Sequence, residues 1–178
     1  MKRLALLMLP LLLSACASTP TTTTDVSPSA DFSNYRSYSW LAKPDVNNPL
    51  AQQRIVDGIN AQLRAKGWTE SADGDVAVAA HVATSQKQTL DTFYSGGMYG
   101  GWGWRGGMGM GTSTTRVHTY DVGTLVVDMF DAKTKQGIWR GTASGTVPDS
   151  PEKANAAIDA GIAKMFAEFP PGSAPAGN

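Results

Sequence analysis

The chain reads as an α+β two-layer sandwich, a mainly antiparallel sheet of about four strands with two amphipathic helices on one face. Three observations predict it. Two segments carry apolar residues at helical spacing, and each opens on a polar cap followed by proline, at Asn48-Pro49 and Ser150-Pro151. Stretches around 76–82, 125–130 and 138–145 instead alternate with the period of a strand. The last two are joined only by the polar run from Asp131 to Gly137, so they must lie antiparallel.

The elements follow in order. Folded structure is expected near Phe32, with Tyr35 to Trp40 alternating as a first strand. The first helix starts at Pro49 behind the Asn48 cap. Ile55, Ile59 and Leu63 line one stripe with Val56 beside them, and Gly67 closes the helix. Trp68 to Glu70 makes a short extension, and Asp73-Gly74 a turn. Val76, Val78, Ala80 and Val82 form one face of the next strand, and polar residues carry it on to about Thr89. The small residues Ala77 and Ala79 on its other face suit a central strand lying beneath a packed helix. A further strand candidate spans Thr112 to Phe130, and Ile138 to Gly145 returns beside it with Trp139 as its bulky residue. The second helix places Ala154, Ala157, Ile158, Ile162, Met165, Phe166 and Phe169 on one side, and Pro170-Pro171 stops it. The stretch 32–170 is long enough for one hydrophobic core and short for two.

The N-terminus carries a different signal. Lys2-Arg3 precedes an apolar run from Leu4 to Leu13, followed by Ser14, Ala15 and Cys16. A span needs about 20 apolar residues, so this run is a secretory signal and not a membrane helix. Leu13-Ser14-Ala15-Cys16 resembles the lipobox of bacterial lipoproteins at all four positions, with cleavage between Ala15 and Cys16. The match implies that Cys16 becomes the first residue and carries acyl chains, of which even two give stable anchoring. Cys16 is the only cysteine, so the mature fold holds no internal disulfide. Ala17 and Ser18 follow it where lipoproteins retained in the inner membrane typically carry Asp. By that resemblance the protein is expected at the outer membrane, facing the periplasm. Residues 1–15 are thus the signal peptide, 16–30 a flexible Ser/Thr/Pro tether, 31–171 a single folded domain, and 172–178 a disordered tail.

Four pieces carry a wider resemblance. They are Asp31-Phe32-Ser33-Asn34-Tyr35-Arg36-Ser37-Tyr38-Ser39-Trp40, Gly123-Thr124-Leu125-Val126-Val127-Asp128, Asp131-Ala132-Lys133 with Ile138-Trp139-Arg140-Gly141, and Ile162 to Pro171. Together they resemble a widespread family of bacterial lipoproteins, domain-of-unknown-function 4136. The resemblance implies a periplasmic α+β domain; it implies no reaction and no established catalytic residues.

Residues 95–111 read Ser-Gly-Gly-Met-Tyr-Gly-Gly-Trp-Gly-Trp-Arg-Gly-Gly-Met-Gly-Met-Gly. Gly101, Gly103 and Gly106 satisfy G-x-G-x-x-G, but the glycines that follow cannot continue a helix for a pyrophosphate to cap, so no dinucleotide site is expected. Three readings stay open: a disordered hairpin connection, a partner-binding loop that orders on contact, and insertion into the membrane interface. Tyr99, Trp102, Trp104 and Arg105 are the contact candidates, being residue types enriched at interfaces or, for the aromatics, at the membrane surface.

The chemistry-bearing residues are sparse. His81 and His118 have no cysteine or carboxylate spacing that would make a metal site, although cross-strand pairing could bring them together. No nucleophile motif occurs. Asp128 and Asp131 fit a strand edge and a turn, Asp73 and Asp75 bracket a turn, and Trp40, Trp68 and Trp139 fit core packing. Basic and acidic residues balance at 15 each, giving no basic patch for nucleic acid. The expectation is a non-enzymatic accessory or partner-binding lipoprotein of the cell envelope, without metal or cofactor, tied to the membrane through Cys16 and able to meet an envelope protein. The alternative is a binding module for a small apolar or amphiphilic ligand held between sheet and helices.

Overall fold

The computed structural model describes residues 19–94 and 113–171. One open, mixed sheet carries two helices. In chain order the elements are β1 (Thr21–Val26), a 3₁₀ turn (Phe32–Asn34), β2 (Ser37–Ala42), α1 (Pro49–Ala65), β3 (Thr69–Glu70), β4 (Val76–Tyr94), β5 (Ser113–Asp131), β6 (Gly137–Thr146) and α2 (Pro151–Met165). The sheet order is β1-β6-β5-β4-β2-β3. Four strands on one side pair antiparallel, whereas β2 joins β4 and β3 in parallel.

The expected four-stranded, mainly antiparallel sheet is therefore corrected to six strands in a mixed sheet. The crossover from β2 through α1 forces the parallel part, because two strands joined by a helix return in the same direction. The sixth strand comes from the expected tether. Thr21 to Val26 lies antiparallel on β6, with Thr21 opposite Ser144 and Val26 opposite Trp139. Ser/Thr composition alone suggested a linker, but Thr is β-branched and suits a sheet edge. The folded chain thus begins about ten residues earlier than composition predicts.

The helices form as their caps dictate. The Asn48 side chain accepts from the amides of Leu50 and Ala51, with Pro49 opening α1. Ser150 accepts from the amide of Lys153, with Pro151 opening α2. Gly67 takes a φ of 83° just past the α1 cap, a left-handed position that suits glycine.

Both helices pack on one face. Ile55, Ile59 and Leu63 of α1 and Ile162, Met165 and Phe166 of α2 are buried against Tyr38, Val76, Val78, Val127, Met129 and Trp139. Phe169 joins Phe166, Trp139, Trp68 and Phe32 in a set of edge-on and tilted rings 5.2–5.6 Å apart. Asn60, buried on α1, accepts from both the Tyr38 hydroxyl at 2.9 Å and the Trp40 indole at 3.0 Å, which ties α1 to β2. The central position of β4 matches expectation. Ala77 and Ala79, however, do not lie beneath a helix, since α1 and α2 both occupy the face of Val76, Val78 and Ala80.

Candidate functional site

The helix-facing side of the sheet is graded in size along the strands. One cross-strand row contains Trp139, Met129 and Val78, the next Gly141, Val127 and Ala80, then Ala143, Leu125 and Val82, and last Gly145, Gly123 and Thr84. The α2 side follows the same gradient, from Phe166, Met165 and Ile162 down to Ile158, Ala157 and Ala154. At the large end the layers interdigitate: a side chain on Gly141 would run into Met165 and Trp139. At the small end the side chains are too short to close the gap between sheet and helices.

The result is a groove of about 530 Å³. Val82, Leu125 and Ala143 form its sheet floor, Ala51 and Ile55 one helix wall, Ala154, Ala157 and Ile158 the other. Val46 and Val147 close it from the loops before the two helices. Among the described residues Asp45 is the only charged one in the lining, which holds no Lys or Arg. The volume lies within the roughly 300–1,000 Å³ usual for small-molecule sites, and the lining is of the apolar kind such sites use.

Pro20 completes the wall, just before β1. It is buried, and its carbonyl accepts from the Lys164 ammonium at 3.3 Å. It packs beside two glycines, Gly161 of α2 and Gly145 of β6: a Cβ on either would meet Pro20 at 3.7 Å, an ordinary contact. The N-terminal strand is thereby locked to the same end of the sheet as the groove.

From that end β4 and β5 continue as a two-stranded ribbon. Pairing runs on past the last β6 position, from Gln86 opposite Asp121 to Tyr94 opposite Ser113. At about 3.4 Å per residue the ribbon projects roughly 30 Å. Val117 and Tyr120 are among its exposed residues. Tyr99, Trp102, Trp104 and Arg105 lie outside the described residues, as do the signal 1–15, Ala15, Cys16 and the tail 172–178.

The structure separates the histidines. His81 faces Val126, whereas His118 faces Thr89, eight positions further along β4. Among the described residues no three His, Cys, Asp or Glu side chains gather as a metal site would require. Three of the aspartates have structural partners, although Asp128 lies on the interior strand β5 and not at an edge. Asp128 pairs with Arg140 across β5 and β6. Asp131 accepts from the amides of Lys133 and Thr134 in its own turn, and from the Tyr35 hydroxyl at 2.9 Å. Backbone donation from Thr134, then the Tyr35 bond, holds its pKa below the usual carboxylate value. Loss of solvent around Tyr35, followed by its bond to Asp131, pushes the phenol up to about 12. Asp75 reaches across to β2, accepting from the amides of Arg36 and Ser37 and the Ser37 hydroxyl. Those bonds, led by the Arg36 amide, lower its pKa. Trp68 and Trp139 are core residues.

The wealth of alanine on the strand 76–83 and on the second helix suggests a groove; Ala154 and Ala157 of α2 do line it, whereas Ala77, Ala79, Ala80 and Ala83 do not. The signal lay in register and packing: cross-strand pairing brings Gly123 and Gly145 together, and the packing of α2 sets Gly161, Ala154 and Ala157 around the same groove.

Residues 22–171 match the family model described as a domain of unknown function (DUF4136). The chain belongs to that family. No curated protein matches it. Among solved structures it is similar to a PDZ domain protein from Parabacteroides distasonis (14% identity, TM-score 0.56), covering 88% of this chain and 37% of that one. This chain thus spans little more than a third of that relative's length. It is also similar to a DUF4136 family protein from Bacteroides thetaiotaomicron (14% identity, TM-score 0.52, covering 85% of this chain and 96% of that one). A third is PelC from Paraburkholderia phytofirmans, a dodecamer (15% identity, TM-score 0.50, covering 83% and 95%). At these identities the likeness is one of fold.

Proposed function

We propose that this DUF4136 protein is a lipid-anchored, non-enzymatic binding module of the bacterial envelope. Its site is the sheet–helix groove and its ligand a small apolar or amphiphilic molecule. The observation that carries this reading is the groove itself, about 530 Å³ lined by Val82, Leu125, Ile55, Ile158 and a set of alanines and glycines. An open groove of that size leaves apolar lining in contact with water, and an apolar guest would remove that surface from water. The signal 1–15 and the Leu13-Ser14-Ala15-Cys16 motif support anchoring through Cys16 at the outer membrane, with the domain in the periplasm. The exposed ribbon, with Val117 and Tyr120, offers a separate surface for an envelope partner.

Fluorescence titration tests the ligand reading. The mature chain bearing Cys16→Ser, mixed with cis-parinaric acid, is expected to give saturable enhancement in the micromolar range, about −8 kcal/mol. Enhancement that rises linearly, or that survives in Ala154→Trp, would defeat the reading.

A further inference from the structure

The groove and the anchor are closer than a flexible tether would put them. Residues 21–26 are a strand and Pro20 is fixed into the groove wall, so only the segment from Cys16 to Pro20 separates the two. At 3.3–3.6 Å per residue that segment spans at most about 14 Å. The N-terminus of β1 also lies at the sheet end from which the ribbon leaves, because β1 runs antiparallel to β4 through β6 and β5. A domain anchored at Cys16 therefore holds this end, with its groove, at the bilayer surface.

The lining adds a second constraint. It contains no Lys or Arg and one carboxylate, Asp45. The lining itself offers no cation to an anionic head group, and the Lys164 ammonium beside it is bonded to the Pro20 carbonyl, so the guest is held by hydrocarbon contact. We infer that the groove receives one acyl chain of a phospholipid from the membrane in which Cys16 is anchored, with the lipid head left outside. The inference rests on the lipid-anchored binding reading above and names its ligand.

Photolabelling tests it. The lipidated mature protein is reconstituted into phosphatidylcholine vesicles in which a fraction of the lipid carries a diazirine near the end of one acyl chain. After irradiation the adducts are mapped by peptide mass spectrometry. The expected result is labelling of peptides containing Val82, Leu125 and Ile158, falling to background in Ala154→Trp and, separately, in Ala157→Phe. Labelling near Cys16 should stay the same in both. Adducts confined to the N-terminal segment and the ribbon would overturn the inference. So would groove labelling that persists in both filled variants. If the groove is silent in the lipidated protein but labelled in Cys16→Ser protein added to the same vesicles, the protein's own acyl chain occupies it, and the inference falls. Saturable cis-parinaric acid binding without vesicle-lipid labelling would overturn the membrane source while sparing the binding module. Failure of both assays would remove the two together.

Discussion

Gly141 shows how one residue sets the boundary of the groove. With no side chain there, Met165 settles onto the sheet beside Trp139 and the core closes. Gly141→Val should force those side chains off their positions and destabilise the fold by about 1–3 kcal/mol in urea unfolding. Asn60 is the polar counterpart. It is the shared acceptor for Tyr38 and Trp40, and Tyr38 is fully buried. Asn60→Ala leaves the Tyr38 hydroxyl without a partner and should cost about 1–3 kcal/mol by the same measurement. Asp75 adds a pH dependence. Its native pKa is depressed by bonds from Arg36 and Ser37, so the unfolded chain binds its proton more readily. The stability it contributes is complete above the ordinary value of 3.8 and is lost as pH falls below it through the native value. The native protein should hold a constant urea midpoint between about pH 5 and 8, with a drop below about pH 4. Asp75→Asn should flatten that acid limb, and an unchanged limb would show that the β2 clamp is not formed.

At the scale of elements the novelty is β1. A free linker can be removed without effect, whereas an edge strand covers β6 and seats Val26 beside Trp139. A chain beginning at residue 27 should therefore have a lower urea midpoint than one beginning at residue 16, and its Arg140 and Thr142 amides, which face β1, should exchange faster. Equal midpoints would restore the tether. The two helices, their caps and the β5–β6 hairpin were legible in the sequence, because Asn48-Pro49, Ser150-Pro151 and the 131–137 turn act locally. β1 was not, because four threonines fit a linker as well as an edge and only the partner strand decides. The parallel pairing of β2 was hidden for the same reason: hydrophobic period does not encode strand direction. The groove was half visible. The alanines of α2 can be read from the chain, but the glycines opposite them come together only through register.

For the molecule as a whole, the size gradient along one sheet face links fold to function. Large aromatic residues knit one end into a solid core, and small residues leave the other end open next to the N-terminus. This makes the groove an outcome of packing rather than a defect, and it places the site beside the start of β1, the end that the proposed anchor at Cys16 would hold. NMR titration tests that claim most directly: the isotope-labelled mature chain with Cys16→Ser, titrated with a long-chain lysophosphatidylcholine below its critical micelle concentration. The account predicts saturable amide shifts concentrated at Gly123, Gly145, Ala154, Ala157 and Gly161. Shifts confined to the ribbon or to the Ala77–Ala79 face, or shifts that never saturate, would contradict it.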